Sequence, residues 1–217
     1  MTKKKAESSV AMLPAAETLL WHCNGYDGER RHRTEVERAA MLEFLRRTEA
    51  PPRTRPVLKR SFLDFILEYG WWYEPTEDST GIDKGARKQC FANAADLAQP
   101  DGSLIYCEGF ALPAGMFPVP HAWVTDGQGR AIDNTWPTPG VAYAGVPFTW
   151  DFVTMMALKN KALGSLLDDW QNRWPLRGDL GDRPDEWLEL GGRGTERVST
   201  IQEPQGKRDT ATEGATR

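Results

Sequence analysis

Cys90, His121 and Asp133 occur in that order, each in a setting suited to one part of a nucleophilic acyl transfer. Cysteine attacks as its thiolate, an imidazole takes and returns the proton, and a carboxylate fixes the ring's tautomer and orientation. Gln89-Cys90-Phe91-Ala92-Asn93-Ala94-Ala95 reads as a helix start. The unpaired N–H groups there favour a negative charge on the thiol, and Lys84, Arg87 and Lys88 add positive potential just upstream. The same N–H groups suit an oxyanion, with the Cys90 amide as a natural donor and the Gln89 side chain as a second candidate.

A hairpin must bring His121 and Asp133 together. His121-Ala122-Trp123-Val124 and Ala131-Ile132-Asp133-Asn134-Thr135-Trp136 read as two strands joined by a tight turn at Asp126-Gly127-Gln128-Gly129. A three-residue loop, Gly127-Gln128-Gly129, sets Asp126 opposite Arg130 and Trp123 opposite Asp133. His121 and Asp133 are then diagonal neighbours on one face, about 7–8 Å apart at the backbone and within side-chain reach. Gly129 suits the left-handed position of such a loop, which favours this register. A two-residue loop would place His121 opposite Asn134 instead, and Asn also orients a catalytic imidazole.

The other cysteines point elsewhere. Cys107 falls mid-strand and reads as packing, while Cys23 sits beside His22. Cys23, Cys90, Cys107 and His121 lack the ligand-pair spacing of a zinc site, so no metal or dissociable cofactor is expected. An odd count of three cysteines argues against a disulfide framework.

At 217 residues with 40% hydrophobic content, the chain suits one domain with its own core. A net charge of −4 gives no reason to invoke nucleic acid or a membrane surface. Lys3-Lys4-Lys5 and the stretch from Glu29 to Arg33 read as solvated basic patches. Pro14 and Glu17 break the apolar run from Val10 to Leu20, which disfavours a cleaved signal, and no run approaches membrane-spanning length. A reducing, cytoplasmic setting is the expectation.

Residues 1–18 and 191–217 read as poorly ordered tails around one α+β domain over 19–190, with the candidate triad in the block 85–150. Thr34 and Glu37 form a capping-box pattern that predicts a helix from Thr34 to Arg47, closed by Pro51-Pro52. Phe62, Phe65, Ile66 and Tyr69 share a face of a second helix over 61–69, and Trp71-Trp72-Tyr73 reads as an aromatic plug. Glu74 to Gly85 reads as a loop. A strand is predicted over Leu104 to Ala111 and another over Val141 to Val146. Phe152, Met155, Met156, Leu163, Leu166, Leu167 and Trp170 predict one helix over 151–172, closed by Pro175.

His121-Ala122-Trp123, a short turn and Ile132-Asp133-Asn134-Thr135-Trp136 resemble the transglutaminase-like branch of the papain-like cysteine superfamily. Its pattern is His-Ala-Trp followed by Asp-Pro-Thr-Trp, and Asn134 takes the place of the Pro. Arylamine N-acetyltransferases share the triad order, and Cys90-Phe91-Ala92-Asn93 is similar to their nucleophile segment. The block is also similar to small bacterial and phage proteins. The resemblance covers about 85–150 and implies N-terminal helices, a central nucleophile helix on a small antiparallel sheet, and a C-terminal helix. It implies Cys90 as nucleophile, His121 as base and then acid, and Asp133 as the orienting carboxylate. The family often uses an indole N–H in its oxyanion hole, so Trp71, Trp72 and Trp123 become candidates; Glu108 becomes a candidate partner behind the triad, its other reading being a solvent-facing carboxylate.

Three functions follow as expectations. The first is a cysteine hydrolase or acyltransferase acting on a peptide, protein or small amide or ester. The second is a non-catalytic interaction module that keeps the fold, and the third a zinc-stabilised domain.

Overall fold

Strict alternation along five strands decides the architecture of the computed structural model, which describes residues 27–48, 58–76, 81–99 and 101–200. The strands are β1 (Trp71–Pro75), β2 (Ile105–Leu112), β3 (Val119–Thr125), β4 (Arg130–Ile132) and β5 (Ala142–Pro147). Trp71, Tyr73, Cys107, Ala111, Trp123, Ala131 and Tyr143 form one buried cluster. Their neighbours Trp72, Tyr106, Phe110, Ala122, Val124, Ile132, Ala142, Ala144 and Val146 belong to a second, larger one. The period of two thus gives each strand two buried faces. One face lines a barrel interior and the other meets helices.

The barrel closes because β1 pairs along both of its edges. The order is β4-β3-β2-β5-β1, and β1 also pairs with β4. The closing pair is parallel, with Glu74 opposite Arg130 and Pro75 opposite Ala131. The neighbouring pairs β2–β3, β2–β5, β3–β4 and β1–β5 are antiparallel. The small antiparallel sheet expected from sequence is thus a small five-stranded barrel with one parallel seam. Trp71-Trp72-Tyr73 is not a plug beside the sheet; it is the strand that closes it.

Among the described residues, four α-helices cover the outside: α1 (Asp27–Thr48), α2 (Phe62–Tyr69), α3 (Cys90–Leu97) and α4 (Trp150–Asn160). In α1, Met41, Leu42 and Leu45 enter the outer core, and Arg38 ties the helix to β1 by pairing with Glu74 at 2.5 Å. This helix starts at Asp27, a full two turns before the predicted Thr34 cap. Good helix formers continue upstream, and the capping-box pattern lies within the helix. In α2, Ser61 accepts from the Asp64 amide and the Asp64 side chain accepts from the Ser61 amide, a capping box that the sequence reading did not single out.

The predicted helix over 151–172 stops at Asn160, with Lys161 left-handed at φ 56°. Glu108 supplies the reason. This carboxylate is fully buried on the outer face of β2 and accepts from the amides of Leu166 at 2.8 Å and Leu167 at 3.1 Å. It also accepts from the Tyr106 hydroxyl at 3.1 Å and from Ser165. An amide that serves Glu108 cannot also close a helical turn, so tertiary demand overrides the apolar periodicity. Trp170 is exposed, and Pro175 opens a 3-10 turn instead of ending a helix.

The C-terminal part of the described chain is also ordered. Thr195 N–H donates to Trp72 O at 2.8 Å and Val198 N–H to Gly70 O at 3.1 Å, and Glu196–Arg197 forms β6 against β1. Residues 191–200 thus strap the barrel rather than trail from it. The predicted tails at 1–18 and 201–217, together with His22, Cys23 and Pro51-Pro52, lie outside the described residues. No helix among the described residues is long and apolar enough to cross a membrane.

Removing the Glu108 carboxylate should cost stability sharply. Glu108→Ala leaves the Leu166 and Leu167 amides and the Tyr106 hydroxyl buried without their acceptor, a loss of about 3 kcal/mol or more. Urea unfolding should show that loss, with Glu108→Gln intermediate because it retains one acceptor oxygen.

Candidate functional site

The β3–β4 hairpin carries two of the three residues. Val124 pairs with Ile132 and Thr125 with Ala131. The same register, continued one step, sets Trp123 opposite Asp133. The loop is the three-residue one, with left-handed Gly127 (φ 75°) and Gly129 (φ 79°). A Cβ on Gly129 would also meet Thr195 Cγ2 at 2.9 Å, so the close approach of the C-terminal strap adds a second demand for glycine. This register gives His121 to Asp133 and not to Asn134. His121 Nε2 and Asp133 Oδ2 lie 2.8 Å apart, both side chains buried.

Asp133 receives more than the imidazole. Thr135 N–H donates to Oδ1 at 2.8 Å and Trp136 N–H to the same oxygen at 3.4 Å, a turn that begins directly after β4. The Tyr143 hydroxyl donates to Oδ2 at 2.9 Å. Burial works against the charge, but the His121, Thr135 and Tyr143 donors outweigh it and hold the carboxyl below the usual carboxylate range. The turn also places Trp136, whose indole stacks on the His121 ring with centroids 4.0 Å apart and planes at 21°.

Cys90 occupies the first position of α3 and is half-buried. It lies close enough to His121 to raise the proton affinity of the imidazole. An ionised carboxylate only accepts, so Nε2 carries a hydrogen and Nδ1 is the nitrogen left for the thiol. Burial lowers the proton affinity of His121, while Asp133 and Cys90 raise it, and the net effect is a pKa raised from 6.5 to about 9.

Asn93 fastens α3 to the hairpin. It accepts from the Ala86 amide at 3.0 Å and donates to Ala86 O at 2.8 Å and to Thr135 Oγ1 at 2.9 Å. A Cβ on Gly85 would lie 2.3 Å from the Asn93 side chain, so the approach loop needs glycine there. Gly85 N–H donates to Asn134 O at 2.9 Å, and Lys84 Nζ donates to the carbonyls of Asp133 at 3.2 Å and Trp136 at 2.9 Å. Lys88 is left-handed at φ 64°, a conformation that costs a lysine roughly 1 kcal/mol or more. It turns the chain into α3 immediately before the nucleophile position.

The remaining candidates are dispersed. Gln89 is exposed and caps α3 without a side-chain hydrogen bond. Trp123 points into the barrel against Tyr73 and Tyr143, with its Nε1 unpartnered. Trp71 belongs to the same interior cluster and Trp72 to the outer core. Asn134 is buried, and its Nδ2 reaches Asp83 O at 3.5 Å. Glu108 faces the opposite side of the sheet from His121 and is not a solvent-facing carboxylate. Cys107 is fully buried in the barrel, where desolvation pushes its thiol far up. Among the described residues, no group of three or more His, Cys, Asp or Glu side chains is placed to hold a metal ion.

Sequence reasoning missed Asn93 and Tyr143 as partners. Asn93 lies one helical turn beyond Cys90, a spacing that places the two on adjoining faces and was available as a signal. Comparison with models of protein families, with curated proteins and with solved structures finds no match to this chain.

The raised His121 pKa makes stability depend on pH with a definite sign. Its contribution is fully present below about 6.5 and is lost as pH rises through about 9. A nitrogen-15 NMR titration of the ring should show a midpoint near 9. In Asp133→Asn the opposing charge is gone, and the midpoint should fall by about two pH units or more.

Proposed function

We propose that this chain is a cysteine-dependent acyl-transfer enzyme with Cys90 as nucleophile, His121 as base and then acid, and Asp133 as the orienting carboxylate. The observation that carries the reading is the buried His121–Asp133 pair, with Nε2 held at 2.8 Å and a half-buried thiol at a helix start close enough to raise the proton affinity of the ring. An α+β domain is also what the resemblance to the transglutaminase-like branch of papain-like enzymes implies.

The chemistry runs in two displacements. Cys90 passes its proton to His121 Nδ1, and the sulfur attacks the carbonyl carbon of an amide or ester. The carbonyl electrons move to oxygen, to which the N–H groups at the start of α3 would donate. Collapse breaks the bond to nitrogen or oxygen, and the leaving group takes the proton from His121. The thioester is then attacked by water or an amine, whose proton returns to His121 and finally to the thiol. Peptide, protein and small amide or ester substrates all satisfy these steps.

Alkylation by iodoacetamide tests the pair without a substrate, in protein with Cys23 and Cys107 replaced by Ser. At neutral pH, Cys90 should react about 10²-fold faster than in His121→Ala. Equal rates in both proteins would sink the enzyme reading and leave an interaction module.

A further inference from the structure

Among the described residues, Tyr143 is the buried titratable group that touches the triad from the far wall of the barrel. It lies on β5, fully buried, while Asp133 follows β4. Three small residues leave room between them. Gly109 lies opposite both His121 and Gly145, and Ala111 lies opposite Tyr143. A Cβ on Gly109 would meet Ala144 O at 2.1 Å, and one on Gly145 would meet the Trp123 ring at 2.4 Å, so neither position accepts a side chain. The phenol therefore crosses the interior and ends on the carboxylate.

Its direction is fixed by chemistry. The Gly140 amide, which can only donate, gives its hydrogen to the Tyr143 oxygen at 2.7 Å. The hydroxyl then has its own hydrogen for Asp133 Oδ2 at 2.9 Å. Desolvation, with the Asp133 charge beside it, keeps the phenol protonated at any working pH. Oδ2 thus accepts two donors at once, Tyr143 and His121 Nε2. Two donors on one oxygen share its negative charge, so each weakens the hold on the other.

We propose that Tyr143 is a positioning residue that moderates the grip of Asp133 on His121, setting the upper pH limit at which the imidazole keeps its proton. Removing the hydroxyl concentrates the carboxylate charge on Nε2 and strengthens its hold on the proton. Strengthening the hydroxyl as a donor does the reverse. The other groups acting on His121 stay constant: Cys90 from α3, and Thr135, Trp136 and Lys84 through the Asp133 turn. Glu108 on β2 faces away. For the ring itself the inference stands alone; its consequence for Cys90 rests on the acyl-transfer reading.

The test follows the His121 ring by nitrogen-15 NMR in three proteins: wild type, Tyr143→Phe, and a protein with 3-fluorotyrosine at position 143. The fluorinated phenol is more acidic and a stronger donor, with nearly unchanged volume. The midpoint should rise by about one pH unit in Tyr143→Phe and fall by a measurable fraction of one with fluorotyrosine. Opposite shifts are something a packing role does not produce. Midpoints that stay put, or move the same way in both proteins, overturn the proposal. If Tyr143→Phe does not fold, the fluorinated protein decides alone: a fall supports the proposal, and no change or a rise overturns it. The alkaline edge of Cys90 alkylation by iodoacetate, whose anion the imidazolium attracts, should follow the midpoints in the same samples. Midpoints that shift as expected while that edge stays fixed would uphold Tyr143's hold on the ring and overturn the pairing of Cys90 with His121.

Discussion

A buried carboxylate must be supplied with donors, and at Asp133 that requirement organises the site. An isolated ionised carboxyl in a protein interior is prohibitively unstable. Here the donors come from separate places: the imidazole from β3, the phenol from β5, and two amides from the turn that Asp133 itself begins. Satisfying the charge therefore ties β3, β5 and the turn after β4 to one another. The same turn lays Trp136 on the imidazole and offers its carbonyls to Lys84.

Glu108 is the counterpart on the other face of the sheet. Asp133 binds the inside of the barrel to the site, whereas Glu108 binds the outside to the chain following α4. The two differ in what burial does to them. Asp133 has a cationic partner and is held below the ordinary carboxylate range. Glu108 has only neutral donors, and desolvation raises it to about 7. An opposite charge, more than the number of hydrogen bonds, separates the two cases.

Legibility in the sequence followed the range of the interactions. The hairpin register was readable because Gly127 and Gly129 specify loop length locally and a period of two carries that register to His121 and Asp133. The start of α3 and the face of α2 were readable for the same reason. The parallel seam between β1 and β4 was not, since nothing in Trp71-Trp72-Tyr73 announces a partner far along the chain. The truncation of the helix predicted over 151–172 was hidden likewise: Leu163, Leu166 and Leu167 keep helical spacing, but a carboxylate on β2 claims two of the amides. Tyr143 was read only as part of a strand, because its hydroxyl acts across the barrel and not along the chain.

The filled barrel has a kinetic consequence. Trp71, Tyr73, Trp123 and Tyr143 occupy its interior, so no reactant reaches the thiol from behind. Trp136 covers one face of His121, and Asp133 seals the ring's far nitrogen. Cys90 is half-buried at the start of α3. On the proposed chemistry, the thioester holds the acyl group there while the leaving group departs and the acceptor comes in, so access to one half-buried sulfur serves both displacements.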